Sequence, residues 1–182
     1  MTLNKQNILL FIGIIAMMGL VIGTFLEGGS LIQKAIFLIG AMILTAIAYA
    51  NKQKMFMTIE LVVSLSSLLA FWDVTMLAKY LIFIGASILG VGYLIKIKHY
   101  KKDKWWPIGA LGLLLLAAGF ATSAVNHPIL FNALLGFGGI IVAIYSAIEL
   151  FLFKTRIASI WLILNMFFAL NPMLIIFHKL FS

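Results

Sequence analysis

The chain has 182 residues, of which 64% are hydrophobic and 10% charged, with a mean hydropathy of +1.18. Soluble domains carry about 25% charged residues, so this composition excludes an ordinary water-soluble fold and leaves an integral membrane protein. The absence of cysteine excludes disulfides and thiol chemistry, and the net charge of +8 falls mostly in short segments between apolar runs. Charge placed there orients a membrane protein and meets anionic lipid; it is no nucleic-acid footprint.

Seven apolar runs have the length of membrane-crossing helices: Ile8–Leu26, Leu31–Ala50, Met55–Trp72, Thr75–Ile95, Trp105–Ser123, Pro128–Phe153 and Ile157–Phe177. Each reaches the ~17 residues that cross a hydrocarbon layer. The first is too long for a signal peptide and no small-x-small cleavage site follows it. Trp72, Trp105 and Trp106 mark span ends, where amphipathic rings prefer the headgroup level. Pro107 and Pro128 suit first helical turns, and Asp73 and Asn126 are candidate N-caps. The expected fold is all-α and polytopic, a single membrane domain over residues 1–182.

Alternating the spans sets Lys5, Lys52, Lys54, Lys96, Lys98, Lys101, Lys102, Lys104, Lys154 and Arg156 on one side. Only Lys34, Lys79 and Lys179 fall on the other. The positive-inside rule then gives a cytoplasmic N-terminus and an outside C-terminus, in a bacterial-type inner (plasma) membrane.

The chain also resembles itself. At a shift of 96 residues, Gly13 falls on Gly109, Gly23 on Gly119, Gly40 on Gly136 and Tyr49 on Tyr145. A shift of 101 lays Glu60, Ser64, Ser67 and Phe71 over Trp161, Asn165, Phe168 and Pro172. The basic turns Lys52/Lys54 and Lys154/Arg156 also correspond. Two three-helix repeats follow, about 5–72 and 105–178, joined by a linker helix and basic loop over 73–104. An odd linker makes the repeats parallel.

Polar residues within the spans are few. In the seventh, Trp161, Asn165, Phe168 and Pro172 recur at i, i+4, i+7 and i+11, which is one helical face. In the third, Glu60, Ser64, Ser67 and Phe71 do the same. Lipid offers such faces no hydrogen bonds, so they should turn inward and meet around a substrate. A packed bundle core gives the same periodicity. Asn165 is either interhelical glue or a substrate contact. Glu60 and Glu149 lie about two turns from Lys54 and Lys154. They could couple transport to protons or a cation, but the expected role is snorkelling towards those bases. Glu27, Asp73 and Asp103 read as loop charges. Glycines three or four apart, such as Gly109/Gly112 and Gly136/Gly139, should allow close helix approach. His99, His127 and His178 form no ligand set, so no metal or other cofactor is expected. No catalytic motif appears, and the chain is not read as an enzyme.

The arrangement of three helices, a linker helix and three helices resembles the SWEET sugar transporters and the PnuC-type vitamin-precursor transporters. Trp161 and Asn165 are similar in kind to the Trp and Asn lining the pocket in such families. The resemblance implies a transporter or facilitator of a polar metabolite, with two three-helix bundles rocking about a central site. Its partners would be the bilayer and a small-molecule substrate. The alternative is a non-transporting membrane subunit, for assembly, sensing or immunity, that packs against a partner or a second copy.

The topology is checked by single cysteines placed in 96–104 and in 126–128. The expected outcome is labelling of the two loops from opposite sides of the membrane; labelling from the same side contradicts the span count.

Overall fold

The structure is a computed structural model that describes residues 5–23, 25–26, 30–72, 74–122 and 126–181. These residues form seven α-helices and one 3-10 turn, with no strand. The helices are α1 (Lys5–Gly23), α2 (Leu31–Ala50), α3 (Lys54–Leu69), α4 (Met76–Lys96), α5 (Trp106–Ala121), α6 (Pro128–Phe151) and α7 (Ala158–Phe181). The 3-10 turn is His99–Lys101. Five helices are long and apolar enough to cross a membrane: α1, α2, α4, α6 and α7.

The other two are shorter than their apolar runs predicted. Both α3 and α5 have 16 residues, about 24 Å at 1.5 Å per residue against a hydrocarbon layer of about 30 Å. Their polar C-terminal ends explain the loss. Ser66 and Ser67 hydroxyls both donate to the Val63 carbonyl, at 2.8 and 2.9 Å. Hydroxyls that bond back in this way compete with the helical ladder. The chain then tightens into i→i+3 bonds from Phe71 to Leu68 and from Trp72 to Leu69. In α5 the Thr122 hydroxyl donates to Ala118 at 2.8 Å as its own backbone turns extended.

The helix starts follow local chemistry. Ser30 caps α2 by accepting from the Gln33 amide at 3.2 Å, and Thr75 caps α4 by accepting from Ala78. Pro107 and Pro128 sit in the first turns of α5 and α6. The N-cap of α6 is His127, so Asn126 does not hold the position its side chain suggested. Asp73 lies outside the described residues, as does Glu27.

Helix ends α2, α4 and α6 share a device. Each is followed by a lysine in the left-handed region: Lys52 (φ 59), Lys98 (φ 56) and Lys154 (φ 53). After α2 the Lys52 amide bonds Tyr49 O and the Gln53 amide bonds Ala48 O, a Schellman closure. A non-glycine residue there costs about 1–2 kcal/mol. A cation at the negative end of a helix dipole offsets part of that cost.

The chain divides after Trp72 into two compact units. In the first, α2 packs against α1 and α3. Leu20 of α1 fills the space above Gly40, where a Cβ would stand 2.7 Å from it. In the second, α6 lies between α5 and α7, and α4 packs on α5. Glycines permit this. A Cβ at Gly138 would come within 2.9 Å of the Leu116 amide nitrogen in α5. One at Gly139 would stand 3.2 Å from the Asn165 carbonyl in α7. Thus α6 shows a bare backbone to each neighbour. Gly112 and Gly119 of α5 likewise face α6, and Gly136 faces Met173 of α7.

Gly138 cannot grow without moving backbone, whereas a Cβ at Gly92 of α4 meets nothing within 4 Å. Gly138→Ala should therefore lower stability by about 1–3 kcal/mol. Gly92→Ala should be neutral or gain up to about 1 kcal/mol from helix propensity. Thermal unfolding in detergent checks both.

Candidate functional site

The most concentrated polar chemistry gathers at the end of α6 in the second unit. Tyr145 and Glu149 lie one turn apart on its inward face, 1% and 7% exposed. Asp103 reaches them from the basic loop and is 4% exposed. The Tyr145 hydroxyl donates to Asp103 Oδ2 at 2.8 Å and lies 3.5 Å from Glu149 Oε1. One phenolic proton cannot serve two carboxylates, and the short contact to Asp103 takes it. From the other side, the Thr155 hydroxyl donates to Glu149 Oε2 at 3.2 Å and its amide bonds the Glu149 carbonyl.

The loop is shaped to deliver Asp103. After Lys98 it makes the His99–Lys101 turn, and the Asp103 amide bonds the His99 carbonyl at 3.0 Å. Asp103 Oδ1 accepts from the Trp105 amide at 2.8 Å, an Asx-type turn leading into α5. His99 Nε2 lies 3.4 Å from Asp103 Oδ2, an ion pair whenever the imidazole is protonated. Burial by itself pushes the Asp103 carboxyl up. The His99 imidazole, the Tyr145 hydroxyl and the Trp105 amide outweigh burial and hold it below the usual aspartate range.

Asp103 is the loop charge expected, but it is buried and accepts hydrogen bonds. Glu149 was expected to snorkel towards Lys154; it is buried and bonded to Thr155, because Thr155 turns back onto the last turn of α6. Glu60 in α3, expected to be ion-paired or water-facing, is also buried, at 2% exposure. Local spacing to a lysine says nothing of which face a glutamate takes.

The residues expected to bind substrate fall in both units. On α7, Trp161 and Asn165 are buried, Phe168 is half-buried and Pro172 is buried within a continuous helix. The Asn165 amide nitrogen donates to the Trp161 carbonyl at 2.9 Å. This face lies along the glycines of α6, since Gly136 approaches Pro172 and Gly139 approaches Asn165. On α3, the Ser64 hydroxyl lies 3.4 Å from that of Thr45 in α2, and Ser67 is buried. Phe71 is exposed beyond the helix end. Among the described residues, no three His, Asp or Glu side chains are grouped to hold a metal ion.

Sequence reasoning missed Asn132 as well as the role of Tyr145. Asn132 is buried in α6 and donates to the Pro128 carbonyl at 2.7 Å. The Tyr145–Glu149 spacing of four was a usable sign of a shared helical face. Asp103 had none, being 42 residues from Tyr145. No family model matches the chain, and no curated protein or solved structure does either.

A carboxyl that titrates lower in the folded state than in the unfolded one contributes stability above its unfolded value, about 3.9 for aspartate. That contribution fades as pH falls through the lower folded value. Wild-type protein should therefore lose melting temperature on acidification below about pH 4. Asp103→Asn should lose less on acidification, while starting about 1.5–3 kcal/mol less stable at neutral pH. Melting curves of both proteins between pH 3 and pH 7 check this.

Proposed function

We propose that the chain is a seven-span integral membrane transporter or facilitator for a polar metabolite, of sugar-like or vitamin-precursor type. In this reading the N-terminus is cytoplasmic, and the chain carries two parallel three-helix repeats. In the second unit Trp161 and Phe168 wall the candidate site and Asn165 supplies its polar contact; Ser64 and Ser67 are the corresponding candidates in the first unit. The observation that carries the reading is the α7 face: Trp161 and Asn165 are both buried on it, with the Asn165 amide nitrogen donating to the Trp161 carbonyl. A buried primary amide beside a large aromatic wall is the mix that small-molecule sites use. Glu60 and Glu149, both buried, are the candidate coupling or ion-paired acids.

The duplication draws support from matched roles. Gly23 faces Phe37 of α2 as Gly119 faces Leu135 of α6. Tyr49 and Tyr145 differ: the first is 66% exposed, with the Lys54 ammonium 5.3 Å from its ring centroid. The repeats would share a scaffold and not a polar cluster.

A second reading, a membrane subunit that only packs against a partner, has its own support. Hydroxyls of Thr45, Thr58, Ser87 and Ser146 all donate to carbonyls four residues back. Self-satisfied hydroxyls of this kind need no substrate.

A thermal-shift screen of sugars and vitamin precursors against wild type and Asn165→Ala separates the two. The transporter reading expects a stabilising ligand whose affinity falls about tenfold in Asn165→Ala, the loss of one hydrogen bond of about 1.4 kcal/mol. A variant altered only in stability supports the packing subunit.

A further inference from the structure

Every acid among the described residues is buried: Glu60, Asp103 and Glu149. The described surface therefore presents basic side chains with no carboxylate to offset them. In the second unit these bases are concentrated at the end of α6. Lys98, Lys101, Lys102 and Lys104 come from the loop before α5, and Lys154 and Arg156 from the turn before α7. All six are exposed.

The two turns are far apart in sequence but are tied to the same stretch of α6. Asp103 is held by Tyr145, and Thr155 holds Glu149, one turn further on. The loop's only acid is thus folded inward, where Tyr145, the Trp105 amide and His99 satisfy it. Its lysines are left exposed. Tyr100 and Trp105, beside these lysines, are exposed, as residues at headgroup level commonly are.

We infer that this end of the second unit is a binding surface for anionic phospholipid headgroups, its shape set by the Tyr145–Asp103 and Thr155–Glu149 hydrogen bonds that tie both basic turns to α6. The cations would meet headgroup phosphate while the aromatic rings sit among the glycerol esters. The lipid source is favoured over a free phosphate compound because the bases rise from helix ends beside exposed rings. A soluble ligand has no use for those rings. The inference requires the chain to lie in a bilayer and does not require transport.

The test uses full-length protein carrying Trp72→Phe, which leaves Trp105 and Trp106 as the reporters nearest the loop; Trp161 is fully buried. Reconstituted vesicles contain equal fractions of brominated phosphatidylglycerol or brominated phosphatidylcholine. The expected result is at least twofold stronger tryptophan quenching by the anionic lipid. That preference should fall in 0.5 M salt, on the order of a 4 Å Debye length, and in Lys101→Gln/Lys102→Gln/Lys104→Gln. It should also fall in Tyr145→Phe, which keeps every cation. If Tyr145→Phe is not monodisperse, Thr155→Val takes its place. Equal quenching by the two lipids overturns the inference, as does a chain that does not float with vesicles. Full preference in a monodisperse Tyr145→Phe or Thr155→Val protein overturns the role given to these two bonds. Soluble glycerol phosphate abolishing the preference at millimolar concentration would overturn the choice of lipid as the source.

Discussion

Tyr145 has one proton to donate, and where it goes decides how the basic end of the second unit is built. Directed to Asp103, it anchors a loop whose other charged residues are all lysines. The carboxylate is almost free of solvent, so it needs the Trp105 amide and His99 as well as the phenol. An uncompensated carboxylate in that position would cost several kcal/mol. With three partners it becomes a fixed point from which α5 starts.

The same helix carries the packing constraint. To bring Tyr145 and Glu149 to that place, α6 must run between α5 and α7, and it does so with glycine at the points of closest approach. Gly138 admits the backbone of α5 and Gly139 admits that of α7. Without an apolar driving force between helices in lipid, such contacts gain by dispersion and close approach. The buried polar contacts and the glycine faces are therefore two requirements on one element. The first fixes its rotation and the second its neighbours.

Much of this was legible in the sequence. The bounds of α2 and the start of α6 at Pro128 follow from apolar runs and local caps, which are short-range. The glycine contacts at Gly112, Gly136 and Gly139 follow from spacing. What failed was non-local. Asp103 among five lysines reads as a neutralising loop charge, because nothing within its own segment announces Tyr145. Distance along the chain from a lysine suggests ion-paired or water-facing positions for Glu149 and Glu60, yet rotation about the helix decides burial. The shortening of α3 and α5 also escaped: hydropathy sees apolar Leu68 to Trp72 and misses Ser66 and Ser67 taking up a backbone acceptor. For the α7 face, the periodicity of Trp161 and Asn165 was plain, but it serves a packed core as well as a binding wall.

Backbone hydrogen exchange across residues 98–105 tests most directly the claim that a buried hydroxyl–carboxylate bond organises this end of the molecule. The Trp105 amide is bonded to Asp103 and the Asp103 amide to His99. The account predicts that both amides exchange slowly in the wild-type protein at neutral pH and rapidly once Tyr145 is replaced by Phe, with the middle of α6 unchanged. Fast exchange of these amides in wild type, or equal protection after the replacement, would contradict it.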